Sequence, residues 1–119
     1  MKTYVNSLMN FLDSSVCNFC AVETIKKELD NAGFEEIKLS EAWDLKKGGK
    51  YYATKNDTAI FAFSVGKYNP VETGFKIIAA HSDSPCFRIK PNSEMKSENG
   101  IIKLNTEVYG GPILYTWFD

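Results

Sequence analysis

The chain holds one histidine, His81, and an aspartate follows two residues later at Asp83. In extended chain, residues two apart point to the same face, so the imidazole and the carboxylate can approach each other. A histidine that binds a metal through one ring nitrogen normally donates the other N–H to a carboxylate, which fixes the tautomer and the ring orientation. His81 is therefore a candidate metal ligand and Asp83 its candidate catalytic partner, orienting the ring. The same spacing also suits a plain hydrogen-bonded pair at the surface, and by spacing alone that is the commoner arrangement. No nucleophilic triad can be drawn, because no serine has a second histidine to activate it.

Three cysteines carry the remaining reactive chemistry. Cys17 and Cys20 form a C-x-x-C at the start of an expected helix, where the helix dipole lowers a thiol pKa. That spacing suits a redox pair, or half of a zinc site completed by His81 and Cys86. A thioredoxin-like motif should follow a strand, and a structural zinc site usually shows a second close ligand pair. The plain expectation is that these cysteines are small buried apolar residues.

The elements that must position His81 and Asp83 lie on either side of them. The run Phe75-Lys76-Ile77-Ile78-Ala79-Ala80 reads as a buried strand of a parallel sheet, delivering His81 at its carboxyl end. Pro85 prevents a helix from starting directly after Asp83. Upstream, Tyr4, Val5, Leu8, Phe11 and Leu12 fall at helical spacing, and Asp13-Ser14-Ser15 breaks the pattern. A second helix carries Val22, Ile25, Leu29 and Ala32, with Asn18 as the expected N-cap, Gly33 as the C-cap and Phe34 packing back. Lys46-Lys47-Gly48-Gly49-Lys50 signals a turn. Tyr51-Tyr52-Ala53-Thr54-Lys55 and Ala59-Ile60-Phe61-Ala62-Phe63-Ser64-Val65 read as strands joined by an Asn56-Asp57 hairpin turn, the second apolar enough to be buried on both faces.

Residues 66–73 read as a polar loop. Beyond Asp83, Phe87 and Ile89 alternate with polar positions in a half-exposed strand. Residues 91–100 read as a polar loop and mark the best domain boundary. Ile102, Leu104, Thr106 and Val108 then share one face of a further strand. Helices before Gly33 and short apolar runs after Tyr51 predict an α/β fold: two helices packed on a mixed sheet whose central strand lies near residues 75–80. Neither internal repeats nor low-complexity tracts interrupt it.

Composition narrows the classes of function. A chain of 119 residues suits a small domain that buries roughly two-thirds of its unfolded surface. Hydrophobic content of 44% and charged content of 24% are ordinary for a soluble globular protein. A net charge of −1 offers no basic stripe for nucleic acid and no polybasic membrane anchor. No apolar run approaches the ~20 residues of a membrane span. The opening residues are too polar for a signal peptide, and an odd number of cysteines argues against a disulfide framework. The expected location is therefore cytoplasmic.

The sequence HSDSPCFRIKP around the candidate site resembles the aspartyl aminopeptidase family of co-catalytic zinc peptidases, in which His-x-Asp-Ser-Pro ends a core strand. The helix ending in Gly33-Phe34 is similar to the same family. So are the run Trp43-Asp44-Leu45-Lys46 through Gly48-Gly49 to Tyr51-Tyr52, the segment Glu107-Val108-Tyr109-Gly110-Gly111-Pro112, and the closing Thr116-Trp117-Phe118-Asp119. The likeness runs from Phe11 to Asp119 in family order. It departs at Ser15-Val16-Cys17-Asn18-Phe19-Cys20, where the family usually has a Ser-Pro-x-Pro-Phe-His-type loop; Cys20 stands in the place of that histidine.

The resemblance implies that residues 1–90 are the amino-terminal part of the catalytic α/β domain and residues 91–119 the start of a mostly β dimerisation domain. It implies a zinc aminopeptidase, with two zinc ions in the complete enzyme, peptide substrates with a free amino end, and a homo-oligomer. His81 would ligate one ion and Asp83 would orient His81. The remaining ligands and the general-base glutamate would lie in a later part, since Glu72, Glu94 and Glu107 show no ligand spacing to His81. The polypeptide is thus expected to be an inactive amino-terminal piece that retains little zinc, with an adhesive apolar surface from Ile113 to Phe118. The alternative is a non-enzymatic α/β fragment that binds a partner or a full-length copy.

Overall fold

A computed structural model describes residues 2–111 and 113–117. Two compact units divide it, Met1–Asp83 and Ser84–Asp119.

The first unit opens with helix α1, Lys2–Ser14. Its apolar stripe is largely uncovered: Tyr4, Val5, Leu8 and Leu12 are exposed, and only Phe11 is half-buried. Helix α2, Asn18–Asn31, buries Ala21 and Val22. Its N-cap is Cys17 rather than the expected Asn18, because the Cys17 sulfur accepts the Cys20 backbone N–H at 3.2 Å and so serves one of the unpaired donors of the first turn. The far end follows the expectation. Gly33 takes φ of 76°, Phe34 N–H donates to Leu29 O at 3.0 Å, and Gly33 N–H donates to Asp30 O at 3.0 Å. These two bonds make a Schellman closure, which needs a residue tolerant of positive φ at Gly33.

The sheet is mixed, in the order β1-β2-β3. Strand β1, Glu35–Glu36, runs parallel to β2, Lys50–Lys55, which pairs antiparallel with β3, Ala59–Ser64. The hairpin turns where the sequence places it. Asn56 and Asp57 have φ of 53° and 54°, and Thr58 N–H donates to Lys55 O at 3.2 Å. Two consecutive positive-φ residues match the right-handed strand twist, and Asn and Asp tolerate them best after glycine.

The burial is the reverse of what composition suggests. Tyr51, Tyr52 and Ala53 of β2 form the core, whereas β3 is exposed or half-exposed along its length. The reason is position: β2 has strands on both sides, while among the described residues β3 pairs with β2 alone. Trp43, Tyr51 and Phe61 gather their rings around Phe63, with centroids 6.0, 5.7 and 5.3 Å from it. The polar loop expected after β3 contains a single turn of helix, α3, Pro70–Thr73, capped by Asn69 Oδ1, which accepts from Val71 N–H at 3.0 Å.

The largest departure concerns residues 75–80. They form no strand, so the expected central strand is absent here, and Phe75, Ile77 and Ile78 are exposed. A strand exists through its ladder, and among the described residues none pairs with this run. The α/β class and the mixed sheet stand; the centre of the sheet is β2.

The second unit is a hairpin of β4, Cys86–Lys96, and β5, Ile102–Tyr109. β4 runs through the first six positions of the expected 91–100 loop, and the connection is a short 3₁₀ turn at Glu98–Gly100. The strand survives Pro91 because its register breaks there: Ile89 faces Thr106 and Glu94 faces Leu104, so five steps on β4 cover two on β5. Proline is tolerated at such a bulge because no ladder hydrogen bond is asked of it. Asn105 Nδ2 fills the gap by donating to Asn92 O at 3.0 Å. Of the segment expected to be adhesive, Ile113 and Tyr115 are exposed; Phe118 and the Leu114 and Trp117 side chains lie outside the described residues. No helix among the described residues is long and apolar enough to cross a membrane.

Candidate functional site

Residues 81–83 follow the apolar run as a bend rather than a strand end. What holds them is Ser82, whose hydroxyl donates to Thr58 O at 2.9 Å at the tip of the β2–β3 hairpin. The bond joins residues 24 apart in sequence. Side-chain type gave no sign of this anchor, since any serine can reach a nearby carbonyl.

The two candidate residues meet. His81 Nδ1 lies 2.7 Å from the backbone oxygen of Asp83 and 3.1 Å from its Oδ1. A backbone carbonyl only accepts, so Nδ1 carries the proton and donates to Asp83 through both oxygens. In the neutral ring the lone pair then sits on Nε2, the nitrogen a metal would take. The orienting partner is thus the Asp83 main chain as much as its carboxylate, a contribution that the residue types alone do not reveal. The His81 side chain is 79% exposed and that of Asp83 38%, so Nε2 is open to an incoming group.

The donor set fits zinc in kind: a neutral imidazole with its second nitrogen tied to an acceptor is the usual zinc-ligand arrangement. It is one ligand. No group of three or more His, Cys, Asp or Glu that could hold a metal forms among the described residues. Glu72 lies in the first turn of α3, and Glu94 and Glu107 lie on the β4–β5 hairpin. Cys17 and Cys20 belong to no such group among the described residues. Nor are the C-x-x-C thiols buried: Cys17 is exposed and Cys20 half-exposed, because they occupy the open first turn of α2.

The sequence profile of the family described as Aminopeptidase I zinc metalloprotease (M18) matches residues 11–119. The chain belongs to this family. A probable M18 family aminopeptidase 2 of Clostridium novyi (strain NT) is 60% identical over 116 residues, covering 98% of this chain and 27% of that protein. The crystal structure of an M18-family aminopeptidase from Thermotoga maritima superposes with a TM-score of 0.81 at 30% identity, over 98% of this chain and 25% of the other. The S. cerevisiae mApe1 dodecamer gives a TM-score of 0.84 at 26% identity, over 96% and 27%. This chain therefore spans about a quarter of the length of the M18 relatives it matches. The solved M18 relatives share its mixed α/β architecture in that quarter, and one of them is an assembly of twelve subunits.

Proposed function

We propose that this chain supplies the amino-terminal part of a zinc aminopeptidase, with His81 as a metal ligand and Asp83 as the group that orients it. The observation that carries the reading is the bond from His81 Nδ1–H to Asp83, which leaves Nε2 for a metal. Membership of a family described as zinc metalloproteases supports it. Zinc, when bound, polarises a scissile carbonyl and lowers the pKa of a bound water. The part played by this chain is narrower: His81 holds one coordination position and Asp83 fixes the tautomer and the plane of the ring. The remaining ligands and the general-base glutamate belong to the part of the family's length that this chain does not span. Substrates are peptides with a free amino end, the working form is a homo-oligomer, and the location is cytoplasmic. Residues 91–119 would begin the dimerisation domain, a role suited to a hairpin whose Phe87, Ile89, Leu104 and Val108 are exposed.

The deciding experiment places His81→Ala in the complete enzyme and measures zinc per subunit together with amino acid release from aminoacyl chromogenic substrates, acidic and apolar. Loss of about one zinc and a rate lower by orders of magnitude is expected. Unchanged zinc and turnover would overturn the ligand assignment.

A second reading applies to the chain by itself: a non-enzymatic α/β piece that binds a partner or a full-length copy. The single-ligand site among the described residues favours it.

A further inference from the structure

The C-x-x-C pair at the start of α2 takes no part in the chemistry assigned to His81, yet its geometry is specific. The two sulfurs lie 2.7 Å apart. The separation is longer than a disulfide bond of about 2.05 Å and shorter than ordinary contact between two sulfur atoms, so only a small rearrangement separates the pair from a bond. Cys17 is the N-cap and is exposed, while Cys20, one turn on, donates its backbone N–H to the Cys17 sulfur at 3.2 Å. Both sulfurs sit over the amino end of a 14-residue helix, whose unpaired N–H groups favour negative charge.

The geometry points to a thiol–disulfide site, Cys17–Cys20, that is oxidised by low-molecular-weight disulfides. This inference is independent of the zinc reading. The hydrogen bond from the Cys20 side chain, then that from its backbone N–H, holds the Cys17 thiol below its ordinary value. The same side-chain bond, together with burial, pushes Cys20 up. The two cysteines are therefore unlike, and the order of attack follows. The Cys17 thiolate attacks one sulfur of a disulfide R–S–S–R, forming a Cys17–S–S–R bond and expelling R–S⁻, which takes a proton from solvent. Cys20 gives its proton to solvent, attacks the Cys17 sulfur and expels the second R–S⁻, which is protonated in turn. Two protein thiols and one R–S–S–R become one protein disulfide and two R–SH. Cys86 has no such neighbour among the described residues and remains a thiol.

Glutathione disulfide serves as the probe. The protein is equilibrated with it, alkylated and cut with trypsin, which leaves both cysteines on peptide 3–26 and Cys86 on peptide 77–88. Peptide 3–26 should lose two hydrogens and resist alkylation, while peptide 77–88 is alkylated in full. Under limiting iodoacetamide at neutral pH, Cys17 should be alkylated before Cys20, since the first thiol is held below its ordinary pKa and the second above it. Cys20→Ser should trap a stable glutathione adduct on Cys17. Cys17→Ser keeps a good N-cap, so the helix persists, and should leave Cys20 slow to react. Three alkylatable thiols after oxidation, a lasting adduct in the unmutated protein, or a cross-link reaching Cys86 would each overturn the assignment.

Discussion

The Tyr52 hydroxyl donates to Asp30 Oδ1 at 2.8 Å, tying the centre of the sheet to the last turn of α2. Tyr52 is among the most deeply buried side chains of the chain, and burial first, then the bond to Asp30, pushes its pKa up to about 12.

Tyr52→Phe keeps the ring and removes only this bond. Hydrogen bonds to charged acceptors are worth roughly 1–3 kcal/mol, so stability should fall by that order, readable from the urea midpoint. The pH profile gives a second readout. Between the ordinary tyrosine value of 10.0 and about 12, unfolded Tyr52 sheds its proton while folded Tyr52 keeps it. The unfolded state then binds fewer protons, so this contribution is complete below pH 10 and is lost as the pH climbs toward 12. Tyr52→Phe should lack that alkaline decline; an identical slope in both proteins would assign it to another group.

A methyl group at Gly49 would run into the Tyr51 ring, 2.5 Å from its Cε2 atom. Tyr51 cannot swing away freely, since it is buried and its hydroxyl accepts the Lys46 N–H at 3.0 Å. Gly49→Ala should cost roughly 1–3 kcal/mol through this overpacking. Gly66 has nothing within 4 Å of an added methyl and serves as the control. Gly66→Ala should leave the melting temperature unchanged or slightly raised. Equal effects at the two positions would show that backbone freedom, rather than the ring, decides.

Asp83→Asn in the complete enzyme removes a carboxylate but not the main-chain oxygen that lies closer to His81 Nδ1. Second-layer changes of this kind cost about 10–100-fold in metal affinity, and the retained acceptor places this one near the lower bound. Competition with a chelator measures it. A loss comparable with that in His81→Ala would mean that Asp83 touches the metal itself.

The 119-residue chain alone should hold little zinc after dialysis and release no amino acid from aminoacyl chromogenic substrates, because Zn²⁺ yields its hydrating water only to several ligands held in place. Excess zinc should not rescue it. Turnover that is abolished by chelator and by His81→Ala would show that further ligands assemble from these residues.

What the sequence disclosed was local. Gly33-Phe34 and Asn56-Asp57 close their turns through backbone conformations those residue types favour, and His81 meets Asp83 across two positions. What it concealed was non-local. The apolar content of residues 59–65 exceeds that of 51–55, yet burial went to Tyr51, Tyr52 and Ala53, because β2 has a strand on each side. Residues 75–80 show the same limit. Their composition records a preference for burial, but pairing partners decide whether that preference becomes a strand. Pro91 opens a stretch that reads as a polar loop, yet the bulge between Ile89 and Glu94 on its own strand accommodates it. Asn18 is the better cap by type, but Cys17 holds the extended backbone that capping needs.

The slip in the β4–β5 hairpin governs which residues stand opposite the apolar side of β5. Had the register continued from Phe87–Val108 and Ile89–Thr106, Pro91 would face Leu104 and Ser93 would face Ile102. Instead Glu94 faces Leu104 and Lys96 faces Ile102. One end of the ribbon keeps an aliphatic and aromatic patch fit to be covered, and the other end carries a pair of opposite charges beside its exposed leucine and isoleucine. Charges in that position act as gatekeepers: a stray strand stacking on the ribbon would have to strip them of water, which discourages sideways growth into aggregates.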